Sequence, residues 1–254
     1  LELHYQPQVD IHSGSVVAAE ALLRWTHPEL GPITPSRFIR LAEEIGIISE
    51  LGDWVLLEAC RQVIRFDAED VDLPRVSINV SALEFNHDFV HKVKDVLEAT
   101  GLAPERLELG LTEAIMVDED NNTALALQEL HDAGIYLSVD DFGTGYSPLS
   151  YLTRYPIDEL KLDRSFILDA ERTEKGARLV TAIIAMARSL DLRLLVEGVE
   201  SEEQLRFLSS QGAGIIQGYL FSRPVPAEQL RPLLSPWHFM AGVQKILYQA
   251  DPGN

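Results

Sequence analysis

The feature that most limits the folds open to this chain is a rhythm. Short apolar runs alternate with longer amphipathic stretches along most of its length. Strand-like runs fall at Leu1–Tyr5, Val16–Trp25, Arg75–Val80, Leu107–Thr112, Ile135–Val139, Ile157–Leu162, Leu192–Val196 and Gly214–Gln217. Helical spacing covers Pro35–Gly46, Leu51–Phe66, Phe89–Thr100, Asn122–Ala133, a helix near Leu149, Lys175–Leu190, Glu202–Ser210 and Ala227–Leu234. Gly101 and Gly134 follow two of these helices and supply natural C-terminal caps. Strands alternating with helices predict a parallel sheet with helical crossovers. Eight units in roughly 235 residues predict an α/β architecture closed as a (β/α)8 barrel of the TIM type rather than an open sheet. Only Asp10–Ser15 joins the first two strands, too short for a helical crossover between parallel neighbours. The first strand is therefore predicted antiparallel to the second, which makes the barrel a modified one.

No Pro/Gly/Ser-rich linker divides the chain, so residues 1–234 read as one domain and 235–254 as its C-terminal helical tail. At 46% hydrophobic and 24% charged residues the composition excludes a disordered chain, a collagen and a coiled coil. The balance of 21 basic against 40 acidic residues leaves a net charge of −19. Such a chain has no electrostatic footprint for a nucleic acid polymer or an anionic membrane. If it binds a phosphate ester, the local positive charge must come from elsewhere, and a metal ion is the economical source. The single cysteine, Cys60, excludes an internal disulfide and sits at helical spacing among apolar residues, as a buried structural thiol would. Trp25, Trp54 and Trp237 read as packing residues. No apolar run approaches the roughly 20 residues of a membrane helix. The chain opens directly in a strand, as an excised domain would.

In a barrel of this type the chemistry sits where strands end. The strand ends lead to Glu20, Asn79, Glu113, Asp140-Asp141, Lys161, Glu197 and Gln217. Carboxylates and an amide oxygen converging without His or Cys are hard ligands, suited to Mg²⁺ or Mn²⁺ rather than zinc. The adjacent Asp140 and Asp141 can serve two ions at once, and two metals clamp the attacking and leaving oxygens of a phosphate ester. Lys161 adds a point charge for a phosphoryl oxygen or the nucleophilic water. Those are the parts of metal-assisted phosphodiester hydrolysis. Arg24, four residues beyond Glu20, is expected to grip a phosphate or to pair with a surface carboxylate. His87 and His91 stand four apart but lack a metalloprotease glutamate, so they read as a solvated helix face. Phe142-Gly143-Thr144-Gly145-Tyr146 reads as a mobile loop that positions the aspartate pair.

Glu20-Ala21-Leu22, within Ala19–Trp25, resembles the signature of the bacterial EAL-domain cyclic-di-GMP phosphodiesterases. The resemblance continues through Asn79-Val80-Ser81, Asp140–Ser147, Lys161–Phe166, Glu197-Gly198-Val199-Glu200 and Gln217–Phe221, and covers roughly Leu3 to Leu234. It implies a modified TIM barrel with an antiparallel first strand and hydrolysis of cyclic di-GMP to linear pGpG with Mg²⁺ or Mn²⁺, with Ca²⁺ expected to inhibit. Carried over by position, Glu20, Asn79 and Asp140 match ligands of one metal, while Asp140, Asp141 and Glu197 match the surroundings of the second. Lys161 matches a residue that contacts the hydrolytic water, and Glu197 a base. Gln6, Leu23, Arg24 and Gln217 match substrate-contacting positions. Glu113 matches a glutamate that anchors the Asp-Asp-Phe-Gly loop and is linked to dimerisation. The resemblance also implies a homodimer, upstream sensor or GGDEF domains, a role in bacterial signalling and biofilm control, and a cytoplasmic position even where the parent is membrane-anchored.

One position departs from the pattern. Where the family has E-[LI]-T-E, with its first glutamate a metal ligand, this chain reads Gly110-Leu111-Thr112-Glu113. Gly110 offers no side-chain donor, and Glu108, one pleat lower, is a doubtful substitute. The leading expectation is a cyclic-di-GMP phosphodiesterase impaired at its first metal. A receptor that binds the nucleotide without hydrolysing it is the alternative. An enolase-like or Schiff-base enzyme using Lys161 is a third reading, which the phosphodiester motifs disfavour.

Overall fold

The computed structural model describes residues 1–85, 87–117, 121–143 and 150–248. Nine strands are present among them: β1 (Glu2–Asp10), β2 (Ser15–His27), β3 (Gly31–Ile33), β4 (Val76–Val80), β5 (Leu107–Thr112), β6 (Tyr136–Phe142), β7 (Glu159–Leu162), β8 (Arg193–Val196) and β9 (Ile215–Ile216). Their order is β1-β9-β8-β7-β6-β5-β4-β2-β3, and β1 also pairs with β2. That second pairing closes eight strands into a barrel and leaves β3 outside, as a short antiparallel extension of β2. β1 runs antiparallel to both β2 and β9, while β2 and β4 through β9 pair in parallel. The chain is thus an α/β TIM-like barrel with a reversed first strand, as its short first connection requires.

Around the barrel lie α1 (Pro35–Glu44), α2 (Ile48–Ala68), α3 (His87–Thr100), α4 (Glu113–Val117), α5 (Asn121–Asp132), α6 (Tyr151–Arg154), α7 (Arg164–Arg172), α8 (Glu174–Ser189), α9 (Glu202–Gln211), α10 (Ala227–Leu230) and α11 (Met240–Tyr248). The strands show why helices must cover them. In β5, Leu107, Leu109 and Leu111 are fully buried and belong to the apolar core, while Glu108, Gly110 and Thr112 alternate with them. Successive strand residues face opposite sides, so the barrel interior receives Ser77, Asn79, Glu108, Ser138, Asp140, Glu159 and Lys161. An interior this polar is unusual for a packed barrel, and its hydrogen bonds are accounted for below.

Several elements escape the sequence pattern. α7 fills the connection after β7, capped by Asp163, whose side chain accepts from the Ser165 amide. β3 and the short α4 are also additional, so Glu113 opens a helix instead of ending a strand. The expected Ala227–Leu234 helix splits into α10 and a 3-10 turn, Arg231–Leu234, because Pro232 lacks the amide that a continuing helix needs. Gly101 and Gly134 take the left-handed conformation expected of C-caps (φ +73° and +92°). Cys60 is fully buried and its thiol is pushed up to about 12 by that burial, which keeps it unreactive. Trp25 packs edge-on to Phe38 at 5.9 Å, whereas Trp237 is 66% exposed and Trp54 sits at the surface. Those two are not the buried packing residues that were expected. α11 folds back onto the barrel through Val243, and the Phe239 amide bonds the Gly14 carbonyl at 3.1 Å. The expected helix near Leu149 falls at the short α6, while Leu149 itself, the loop residues Thr144–Tyr146 and the His87 side chain lie outside the described residues.

Candidate active site

Two adjoining cavities open where the parallel strands end. The more polar one, about 330 Å³, is lined by Gln6, Glu20, Asn79, Asp140, Asp141, Glu197 and Gln217, with Arg164, Glu200 and Tyr219 at its edge. The more apolar one, about 360 Å³, is lined by Leu22, Leu23, Arg24, Pro35, Ile39, Ile48 and Leu51 among others. Leu22, Asn79, Asp140 and Asp141 belong to both, so the two form one groove with an acidic half and an apolar half.

Local backbone geometry explains how adjacent aspartates share one mouth. In a regular strand Asp140 and Asp141 would face opposite sides. Here Val139 pairs with Leu160 and Phe142 with Leu162, so β6 carries one residue more than β7 between those pairs. Such a bulge bends the strand and re-aims side chains. Asp141 takes a left-handed φ of +53°, and its amide bonds Asp140 Oδ1 at 3.0 Å. Behind the pair, Glu113 Oε1 accepts from the Gly143 amide at 3.2 Å and from the Tyr151 hydroxyl at 3.1 Å. One carboxylate thus joins the two ends of the loop that follows the aspartates.

Amides organise the opposite wall. Gln217 Nε2 donates to Glu20 Oε2 at 2.5 Å and to Gln6 Oε1 at 3.2 Å, and Asn79 Nδ2 donates to Glu20 Oε1 at 2.7 Å. Gln6 in turn donates to the Ser222 carbonyl at 3.0 Å. Both oxygens of Glu20 are therefore held. Lys161 lies on the floor, fully buried, donating to Ser77 Oγ at 2.9 Å and standing 3.3 Å from Glu108 Oε1. Glu108 is also fully buried and accepts from Ser77 Oγ at 2.9 Å and Ser138 Oγ at 2.8 Å. Its Oε1 is thus committed to the two serines, while Oε2 has no hydrogen-bond partner among the described residues.

The electrostatics are those of carboxylates crowded out of water. Burial raises the pKa of Glu20, and Asp140 adds to the rise. Burial, then Asp140 and Glu20, hold Glu197 well above the ordinary carboxylate range. Burial and Asp140 push Asp141 up to about 6. For Lys161, burial works against the charge, but Glu108, Asp140, Glu20 and Glu197 outweigh it and hold the ammonium well above its usual pKa. Glu197 Oε1 is buried without a hydrogen-bond partner among the described residues.

Hard oxygens, an unpartnered carboxylate oxygen and raised acid pKa values fit a divalent cation on the Glu197, Asp140 and Asp141 side. Among the described residues no group of three or more His, Cys, Asp or Glu side chains is arranged to hold an ion as it stands, so binding requires these side chains to turn toward one another. The Gly110 side fits poorly: a Cβ built there would lie 2.8 Å from Asn79 Oδ1 and 3.0 Å from Lys161 Nζ, so this strand position faces the site but contributes no donor.

The structure thus gathers Gln6, Glu20, Asn79, Asp140, Asp141, Glu197 and Gln217 at one cavity, with Lys161 beneath them. Arg24 and Leu23 line the neighbouring half, and Glu113 stands behind the loop. Leu22, read in the sequence only as part of the Glu20-Ala21-Leu22 signature and not as a site residue, shares a strand face with Glu20 and Arg24 and lines both halves; two-residue alternation was the signal. Arg164, paired with Glu200 at 2.9 Å, and Tyr219, stacked under Arg223 at 4.1 Å, carried no comparable signal.

A TIM-type barrel with a reversed first strand and an acidic, amide-lined mouth defines the class of protein. More narrowly, the chain belongs to the EAL-domain family, whose model matches residues 1–224. Cyclic di-GMP phosphodiesterase NbdA of Pseudomonas aeruginosa is 44% identical over 242 residues, covering 95% of this chain and 31% of NbdA. The solved MucR phosphodiesterase in complex with c-di-GMP is 44% identical and aligns with a TM-score of 0.85 over 90% of this chain and 93% of that one. BlrP1 of Klebsiella pneumoniae, solved as a calcium/cyclic-di-GMP complex, is 28% identical with a TM-score of 0.76 over 88% of this chain and 55% of that one. The chain spans about a third of the length of the curated relatives it matches.

Proposed function

We infer that this domain hydrolyses cyclic di-GMP to linear pGpG with the help of a divalent cation. The observation that carries this reading is the buried, unpartnered Glu197 Oε1, set among Asp140, Asp141 and Glu20 beside an apolar half-groove able to take a base. The phosphodiesterase NbdA and the ligands in the MucR and BlrP1 structures support it. Glu197, Asp140 and Asp141 would hold the ion, Mg²⁺ or Mn²⁺, which when bound lowers the pKa of a water and draws charge from phosphoryl oxygens. The chain's own residues do the rest. The Glu197 carboxylate accepts the proton of the attacking water. Gln217 and Asn79 hold Glu20 in a single orientation. Arg24, which makes no ion pair with a carboxylate among the described residues, offers its guanidinium to a phosphate. Glu113 keeps the aspartate loop in register.

A second reading, a receptor that binds cyclic di-GMP without cleaving it, is favoured by the absence of a donor at Gly110. The relatives' greater length supports sensor or GGDEF domains in the parent protein, and we include a homodimer in the proposal. We also take residues 235–254 as part of the same domain and the parent's EAL domain as cytoplasmic; no helix among the described residues is long and apolar enough to cross a membrane. The deciding experiment is a turnover assay on cyclic di-GMP in Mg²⁺ and Mn²⁺, beside a binding measurement in Ca²⁺, where hydrolysis is expected to stop. Formation of pGpG supports the enzyme; binding with no product in either metal establishes the receptor and overturns the enzyme.

A further inference from the structure

We propose that this domain takes one divalent ion, on the Glu197 side of its mouth, and that the Lys161 ammonium is the fixed cation of the other side. The proposal rests on the phosphodiesterase reading for what the pocket is, and on the asymmetry of its two walls for what it holds.

On the Glu20 side the carboxylate is already taken, and the buried oxygen left without a partner is the neutral amide oxygen of Gln217. Both oxygens of Glu20 accept from amides, Asn79 and Gln217. Gly110 contributes nothing, and the ends of Asn79 and Lys161 close on the space where its side chain would begin. Glu108 is a poor substitute, because its Oε1 already accepts from Ser77 and Ser138 and stands 3.3 Å from Lys161 Nζ. Ser77 and Glu108 pin the ammonium there, so it is a built-in positive charge that needs no exchange with solvent. A second cation on this side would face that ammonium across low-dielectric interior with one carboxylate fewer to attract it. The Glu197 side differs: it offers a buried carboxylate oxygen with no partner, and the bulge brings Asp140 and Asp141 to the same cavity. Glu108 and Ser77 are positioning residues in this arrangement, acting through Lys161.

The test is a calorimetric titration with MnCl₂ alone, with free Mn²⁺ counted by electron paramagnetic resonance. The domain as it stands is expected to bind one ion, and Gly110→Glu two. Gly110→Asp, one methylene shorter, repeats the test where circular dichroism shows that the glutamate variant has not folded. Two ions of comparable affinity in the parent domain overturn the proposal. So does a single ion in a folded Gly110 carboxylate variant, since Gly110 would then not be the reason for the missing site. Glu197→Gln is expected to lose the one ion; retention at unchanged affinity places the ion elsewhere and overturns the proposal. Lys161→Met is expected to tighten the single ion by relieving repulsion; unchanged or weaker affinity in a folded variant refutes the role given to Lys161. Product analysis on the same samples separates the two claims. One ion in the parent and two in the variant, without pGpG from either, supports the stoichiometry and defeats the hydrolase reading alone.

Discussion

Replacing Glu159 with glutamine should make the barrel more stable at neutral pH, and the gain should grow with pH. Glu159 opens β7 on the barrel interior, one pleat below Lys161, and is 2% exposed. Its surroundings are mixed: Glu108 repels its charge, while Lys161, Arg193 and Arg75 attract it. The arginines reach it poorly, since Arg193 Nε stands 3.8 Å away and Arg75 lies over the Tyr136 ring at 3.6 Å. Burial therefore prevails, and the carboxyl is pushed up from 4.5 to about 8. Between those pH values the folded chain keeps a proton that the unfolded chain has lost. Stability from this group is then complete below about pH 4.5 and falls as pH rises toward 8. At about 1.4 kcal/mol per pH unit, the loss by pH 7 is on the order of 3 kcal/mol. For a chain of this size that corresponds to a Tm change of roughly 6–12 °C. Glutamine mimics the protonated acid and cannot ionise. Thermal unfolding of parent and Glu159→Gln from pH 4.5 to 8 should give nearly equal Tm values at the acid end and a widening advantage for the variant above it. A gap that does not change with pH, or a variant less stable at pH 8, would show that Glu159 is charged in the fold and refute the reasoning.

Three further outcomes follow from the site. Asp141→Asn should abolish hydrolysis while leaving circular dichroism and Tm near the parent's; unchanged turnover would remove the aspartate pair from the chemistry. Gly110→Glu should hydrolyse cyclic di-GMP at least about tenfold faster at low Mg²⁺, once the ends of Asn79 and Lys161 shift by a few tenths of an ångström to admit it; equal rates across a Mg²⁺ titration would mean that position 110 limits nothing. Glu113→Ala removes the acceptor shared by the Gly143 amide and the Tyr151 hydroxyl, and kcat should fall about tenfold or more with little change in KM; a parent-like kcat would show that the loop holds its register without it.

Most of the architecture was legible because it rests on local quantities. Two-residue alternation of Leu107, Leu109 and Leu111, three- and four-residue spacing in the helices, and glycines at their ends are properties of short segments. Even the reversed first strand follows from a count, since a connection from Asp10 to Ser15 cannot return a parallel neighbour. The connection holding α7 was opaque for the complementary reason. The helix is short and depends on the Asp163 cap and on packing against α8, the next helix along. Pro232, by contrast, announced the break in the last predicted helix and was outweighed by the apolar spacing around it.

For the site, the residue types at the strand ends were readable, and so was the closure that brings strand ends together. Their relations were not. Whether Asp140 and Asp141 share a mouth depends on one extra residue in β6, visible only against the register of β7. Whether Glu108 can stand in for a side chain at Gly110 depends on Ser77 and Ser138 from neighbouring strands, which both hold its Oε1. Lys161 reads in sequence as a group for the substrate, yet it lies on the floor because Glu108 and Ser77 wait beneath it. Periodicity reports which face a residue takes. Which partner on that face reaches it first is a competition among strands distant in sequence, and it is settled only when the barrel closes.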